Sequence, residues 1–255
     1  MWSREELKGR AKTAFQRNYW TTVVVSLVAA VAIGKLSLRT EVNINDLPDR
    51  IQEWGSTGEE GLFAALFALV MASLAGVAAL LIKLFKIFVG NILQVGANRF
   101  YMENREFRSR VDTLFYGFRN GHYGNMALTM FLKDLFIALW TLLFVVPGII
   151  KSYEYRMVPY ILSENPGMHY RQAFDISRRM MDGQKMDTFI MDLSFFGWFL
   201  LAGITCNIVG IFYVNPYYDA TNAELYAVFR AHAFHTGQLT EMDLPGYGGG
   251  SYYQM

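Results

Sequence analysis

The sequence predicts an all-α fold: a polytopic membrane helical bundle of about six transmembrane helices in three hairpins, with cytoplasmic amphipathic helices beside them. Composition is the first reason. Of 255 residues 53% are hydrophobic and 18% charged, against roughly 25% charged in an average soluble domain. The second is segregation, because the apolar residues gather into blocks, several beyond the roughly 18 residues a spanning helix needs. The third is the placement of Lys and Arg, which fall in clusters between the blocks rather than evenly along the chain.

"MWSREELKGRAKTAFQRNYW" opens the chain. It lacks the order of a signal peptide, in which a short basic stretch runs at once into an apolar core. Leu7, Ala11, Ala14, Phe15 and Tyr19 share one stripe at helical spacing, with Arg4, Lys8, Lys12 and Arg17 elsewhere. Residues 1–18 are therefore expected as a basic amphipathic helix lying on the membrane surface, the alternative being an ordinary solvated helix. Residues 19–235 form the membrane domain and 236–255, rich in Gly and Tyr, a flexible cytoplasmic tail.

Within the membrane domain the first crossing is "WTTVVVSLVAAVAIG", near residues 19–35, followed by a polar loop over 36–60. Residues 62–98 would span roughly 55 Å as a helix, more than a ~30 Å hydrocarbon core. Either one long tilted helix overshoots or the segment breaks near Gly90; one helix is preferred, because the remainder is short for a second span. Residues 99–124 are polar with an amphipathic centre in which Val111, Leu114, Phe115 and Phe118 share a face. The third crossing runs from about 125 to 146. "SENPGMHYRQAFDISRRMMDGQK" holds another amphipathic helix with Ala173, Ile176 and Met180 on one side and Gly183 as its stop. Two further crossings, 186–207 and 208–230, complete the chain.

Charge decides the topology. Five basic residues lie in the N-terminal arm, five in 99–124 (Arg99, Arg105, Arg108, Arg110, Arg119) and four in 163–185 (Arg171, Arg178, Arg179, Lys185). The loop 36–60 has only Arg39 and Arg50 among six acidic residues. The order is in, out, in, in. Two adjacent inner segments require two crossings between them, so "VPGIIKSYEYRMVPYILSENP" must return through the membrane after a turn at Pro147-Gly148. Both termini are then cytoplasmic. Each hairpin follows an amphipathic segment (3–17, 110–120, 168–182), an arrangement compatible with a parallel repeat.

Polar residues inside spans are the default functional candidates. These are Lys133 and Asp134 in the third crossing, Glu154 and Arg156 in the fourth, Asp187 and Asp192 in the fifth, and Asp219 and Glu224 in the sixth, with Lys83 and Lys86 in the second. Opposite charges at matching depth suit interhelical ion pairs; they also suit a polar path for an ion or small solute. Pro216 in "YVNPYYDATNAE" removes a helical hydrogen bond, and Asn215, Thr221 and Asn222 offer polar groups to replace it. No catalytic, cofactor or metal residues are expected: His232 and His235 share a face without further ligands, and phosphate, dinucleotide and nucleophile motifs are missing from the sequence. Cys206, the single cysteine, reads as a small buried hydrophobe. Expected partners are the lipid bilayer and another membrane or cytoplasmic protein, with a homo-oligomer compatible and nucleic acid excluded by a net charge of +1.

"VPGIIKSYEYRMVPYILSENP", "AFDISRRMMDGQKMDTFIMDLSFFGW" and "VNPYYDATNAELY", together with "LKGRAKTAFQRNYW" and "LFYGF", resemble in order the bacterial membrane family known as domain of unknown function 975. The resemblance runs from about residue 4 to 230. It implies a polytopic protein of the bacterial plasma membrane and supplies no activity or site residues. The expected role is a non-enzymatic scaffold, assembly or regulatory component; the alternative is a small-solute or ion transporter that uses the intramembrane charges.

Overall fold

The computed structural model describes residues 2–34, 59–240 and 242–246, and every regular element among them is helical. In chain order these are α1 (Arg4–Arg17), α2 (Tyr19–Ile33), α3 (Glu59–Phe85), α4 (Asn91–Asn104), α5 (Tyr123–Leu143), α6 (Val145–Glu154), α7 (Val158–Glu164), α8 (Tyr170–Met180), α9 (Lys185–Leu193), α10 (Phe196–Ile204) and α11 (Asn215–His235). Single π-helical turns, Lys86–Gly90 and Gly210–Val214, lead into α4 and α11. A 3-10 turn, Val111–Phe115, and one α turn, Tyr116–Arg119, precede α5. The loop read at 36–60, apart from its last two residues, and the tail beyond 246 lie outside the described residues.

Ser3 caps α1, accepting from the Glu6 amide at 3.1 Å, while Glu5 and Glu6 sit at the positive end of the helix dipole. The stripe Leu7, Ala11, Ala14 and Phe15 is buried as its spacing predicts. It faces protein, not a membrane surface: α1 packs along α11, with Trp2 edge-on to Phe229 at 6.0 Å. The apolar side of α11 (Ala220, Ala223, Tyr226, Phe229, Ala233) gives that stripe its partner.

Residues 62–104 form one continuous helix of 43 residues, about 65 Å long, which settles the choice between one helix and two. Its halves differ. From Leu62 to Phe85 nearly every apolar side chain is exposed, among them Phe63, Leu66, Phe67, Leu74, Leu81 and Phe85. From Gly90 onward it is core, with Ile92, Val95 and Phe100 fully buried. The loop after α4 locks onto it by close backbone approach: Leu114 is buried and its carbonyl lies where a Cβ at Gly96 would sit. Val111, Phe115 and Phe118 point outward, so the face expected to include Leu114 is split between core and surface.

The hairpin of α5 and α6 turns one residue group earlier than expected. Phe144 takes the extended conformation (φ −153°, ψ 135°), and Pro147 and Gly148 already belong to the first turn of α6. Proline is tolerated there because the first helical N–H groups have no acceptor anyway. Gly148 is needed for a different reason, since a Cβ at this position would occupy the space of the Thr141 side chain. Each returning arm is interrupted once: the π turn before α4, the break Tyr155–Met157 between α6 and α7, and the π turn before α11. In α8, Ala173, Ile176 and Met180 are buried as read, and Gly183 (φ +69°) lies in the turn beyond. The last hairpin turns through Cys206 (φ 48°) and Asn207 (φ 65°). Cys206 is exposed there, not buried; a hairpin tip has no core behind it.

Among the described residues three helical stretches are long and apolar enough to cross a membrane: Leu62–Asn104, Tyr123–Leu143 and Lys185–Ile204. α2, with 15 residues, is apolar but shorter, about 22 Å.

The first part of the tail is fastened down rather than loose. Leu239 and Leu244 are buried. Asn165 donates to the Asp243 carbonyl at 3.1 Å, Gln172 to its carboxylate at 2.9 Å, and Arg179 to the Gln238 carbonyl at 3.0 Å. The Thr240 amide and hydroxyl, at 3.0 and 2.8 Å, with help from Gln172, hold the Asp243 carboxyl below the usual carboxylate range. A depressed folded-state value means the contribution is complete above the ordinary value of about 3.9 and is lost as pH falls through the depressed one. Protection factors of residues 237–240 and 242–246 should thus be high at pH 6 and fall below about pH 4, ahead of those of the helices. Gly148→Val should cost about 1–3 kcal/mol of stability in detergent, by overpacking against Thr141.

Candidate functional site

Arg156 lies in the break between α6 and α7, where the chain leaves helical geometry and the side chain can turn into the body. Its guanidinium grips Asp192 of α9 with two parallel bonds, Nη1 to Oδ2 at 2.6 Å and Nη2 to Oδ1 at 2.8 Å. Nη2 also donates to the Tyr218 hydroxyl at 3.0 Å and to Asn222 Oδ1 at 2.6 Å, both on α11. Tyr153 and Tyr218 in turn donate to Asp192, at 2.9 and 3.0 Å. A planar fork on a carboxylate, with every remaining lone pair occupied, is the geometry in which a desolvated ion pair survives.

The other charges pair separately. Glu154 receives Lys151 at 2.5 Å and Lys185 at 2.7 Å. Glu224 receives Arg105 through two bonds at 2.9 and 3.2 Å, with Arg10 at 3.6 Å. Lys133 meets Asp134 at 3.2 Å, and Asp134 also accepts from Asn91 at 2.9 Å; as chain neighbours with Asp134 half exposed, these two are a weak pair. Glu154, Arg156 and Asp219, candidates for a polar path, do not come together around Pro216. Glu154 is engaged by Lys151 and Lys185 and Arg156 by Asp192, while Asp219 accepts from Ser26 on α2.

The most deeply buried pair among the described residues, Glu164 with Arg230, is not among the expected site residues. Their side chains are 0% and 6% exposed and meet at 2.6 Å. Tyr226 donates to Glu164 at 2.8 Å, the Gly246 amide at 2.8 Å, and Arg230 also donates to the Leu244 carbonyl at 2.9 Å. The available signal was a glutamate ending the apolar run "VPYILSE".

Asp219 and Asn215 line a cavity of about 220 Å³ between α2, α4, α10 and α11. Its polar side chains are Ser26, Gln94, Asn98, Tyr101, Asn215, Tyr218 and Asp219, over a floor of alanines, Ile33 and Phe199. Ser26 donates to Asp219 Oδ2 at 2.7 Å and is also bonded to the Tyr101 hydroxyl, which reaches the Thr22 carbonyl at 3.3 Å. Pro216 sits one turn before Asp219. Its missing N–H leaves the Phe212 carbonyl without an α-helical donor, and the Tyr19 hydroxyl supplies one at 3.1 Å. Asn215, Thr221 and Asn222 do not serve that carbonyl: Thr221 and Asn222 donate to Tyr217 and Tyr218. The other π turn repeats the device, with Tyr123 donating to Phe88 O at 2.9 Å.

Residues 142–233, from the tip of the α5–α6 hairpin through most of α11, match the model of a family described as protein of unknown function, DUF975. This stretch of the chain is similar to that family. The matched segment contains the Arg156–Asp192 network and the Asp219 side of the cavity, while α2 and α4, which complete that cavity, precede the match. No match was found among curated proteins or solved structures.

Removing one partner of the central pair leaves a charge in a site that excludes most water. With the two side chains 17% and 22% exposed, Arg156→Ala should cost about 3 kcal/mol, the low end for a broken buried pair. The double variant Arg156→Met with Asp192→Leu should cost less, because no charge is stranded. Thermal unfolding in detergent, with Leu201→Ala as the exposed control, checks the order.

Proposed function

We propose that this is a multi-pass component of the bacterial plasma membrane that acts by binding, as a scaffold, assembly factor or regulatory partner, and not as an enzyme. In this reading the six arms cross the bilayer in three hairpins, with both termini cytoplasmic. The three long apolar helices support membrane residence, and the arginine clusters support the orientation. The observation that carries the role is the fate of the candidate charges. Glu154, Arg156, Asp192 and Glu224 are consumed by pairs that tie α1, α4, α6, α9 and α11 into one body. Charges so engaged hold a shape.

What that shape presents between α4 and α5 is a rim of exposed Phe107, Val111, Phe115 and Phe118 set among Arg108, Arg110 and Arg119. Mixed aromatic and arginine surfaces are the composition of interaction sites. Photo-crosslinkers at Phe115 and Phe118 in the native membrane should give discrete protein adducts, whereas one at Leu201 should give lipid. Lipid adducts alone at all three would remove the partner-binding reading. Topology is tested in parallel: Arg119→Cys and His169→Cys should label from the same compartment, and native Cys206 from the opposite one.

The alternative, a small-solute or ion transporter, draws on one feature those pairs leave aside, the cavity beside Asp219.

A further inference from the structure

We infer that the cations gathered around Glu154, where α6, α8 and α9 meet, form a binding site for the headgroup of an anionic phospholipid. The inference rests on the reading of α6 and α9 as membrane arms and is independent of the aromatic rim at Phe115 and Phe118.

The charge count is the first reason. Lys151 and Lys185 reach Glu154 at 2.5 and 2.7 Å, and Arg178 of α8 approaches the same carboxylate at 3.8 Å. Three positive side chains therefore share one negative one. Among the described residues neither Asp182 nor Asp187 pairs with any of the three. Asp187 lies instead with Ile190 and Ser194 in the groove against α1. Glu154 is the enclosed member, 10% exposed, while Lys185 and Arg178 are 33% and 53% exposed. The carboxylate draws the cations together, and their surplus charge faces outward. Two ammonium groups and a guanidinium bring more N–H donors than one carboxylate can use, and a phosphate takes up the remainder.

Position is the second reason. Arg178 and Lys185 flank the turn between α8 and α9, in the segment read as cytoplasmic. From this cluster α6 and α9 each lead away toward a hairpin tip, and their outer faces are bare and apolar. Ile150 is 45% exposed, Met186 67% and Phe189 46%. Phe189 stands edge-on to Tyr153 at 6.4 Å, which sets the two bare faces side by side. A soluble anion would use the cations and leave those faces uncovered. A phospholipid uses both, with its phosphate on the cations and an acyl chain along Ile150 and Phe189. Basic pockets between membrane helices on the cytoplasmic side have this chemistry.

Phosphatidylglycerol, phosphatidylcholine and inorganic phosphate, each titrated into the full chain in non-ionic detergent, test the site by native mass spectrometry and thermal unfolding. The expected result is saturable binding of phosphatidylglycerol, with phosphatidylcholine and phosphate each at least tenfold weaker. Arg178→Gln should raise the phosphatidylglycerol Kd about fivefold, the share of one cation near an anionic headgroup, and Arg178→Lys should restore most of the loss. Arg179→Gln makes the same charge change one residue on, where the arginine pairs with Asp175 at 2.9 Å, and should leave the Kd unchanged. Should Arg178→Gln fail to fold, Lys185→Gln takes its place with the same expected loss. The proposal is overturned by no saturable binding, by equal affinity for phosphatidylcholine, or by phosphate binding as tightly as the lipid. The same Kd in wild type and Arg178→Gln, or equal losses in Arg178→Gln and Arg179→Gln, overturns it too. Cysteine labelling across the membrane reads the topology separately, so a failure of the membrane reading and a failure of this site are told apart.

Discussion

The bond between Arg156 and Asp192 is where the architecture is decided. Arg156 sits in the break between α6 and α7, and Asp192 lies one residue from the end of α9. Each of these arms is otherwise largely apolar around that charge. An isolated charge at this depth would cost several kcal/mol, so neither arm can be placed independently: the two hairpins must dock with the guanidinium and carboxylate aligned. Tyr218 and Asn222 extend the constraint to α11, and α11 carries it to α1 through Glu224 and Arg10. A short chain of polar contacts thus fixes the relative positions of elements whose apolar surfaces alone would pack in many ways.

The exposed apolar surface follows the same division. The body takes its order from paired charges and close backbone approaches, leaving α3, the tip of the α5–α6 hairpin and much of α10 with leucines, valines and phenylalanines turned outward. In water such surface would be a liability; against acyl chains it needs no protein cover. The sharp change along a single helix, bare before Phe85 and buried after Gly90, marks where exposed apolar surface gives way to protein packing.

Hydropathy and period made the single-element features legible. The buried stripes of α1 and α8 follow from 3.6-residue spacing, and the unbroken run from Leu62 onward follows from the lack of any strong breaker. What covers a stripe is another matter: the spacing alone suits a membrane surface as well as it suits α11, the partner α1 has. The early turn at Phe144 was hidden because a Pro-Gly pair is a stronger local turn signal than an extended phenylalanine, although proline is equally at home in the first helical turn. Pairings were the least legible. Glu164 and Arg230 are 66 residues apart, and neither residue's sequence surroundings point to the other; Glu154 and Arg156, near neighbours in sequence, go to different partners.

The two π turns connect these local irregularities to the cavity. A π turn holds one more residue than an α turn, so the face presented after it is rotated by about 100°. Beyond Lys86–Gly90 the polar side chains Asn91, Gln94, Asn98 and Tyr101 recur on one side of α4; beyond Gly210–Val214, Asn215, Tyr218, Asp219 and Asn222 do so on α11. Gly90 seats against the Ala32 carbonyl, which sets how closely α4 approaches α2, and Pro216 obliges Tyr19 to reach Phe212 across the start of α11. Without those insertions the same sequences would turn different faces to α2, and the polar side chains that line the cavity would be distributed among separate surfaces. Polar residues on two arms become one site because each arm breaks helical register just before it.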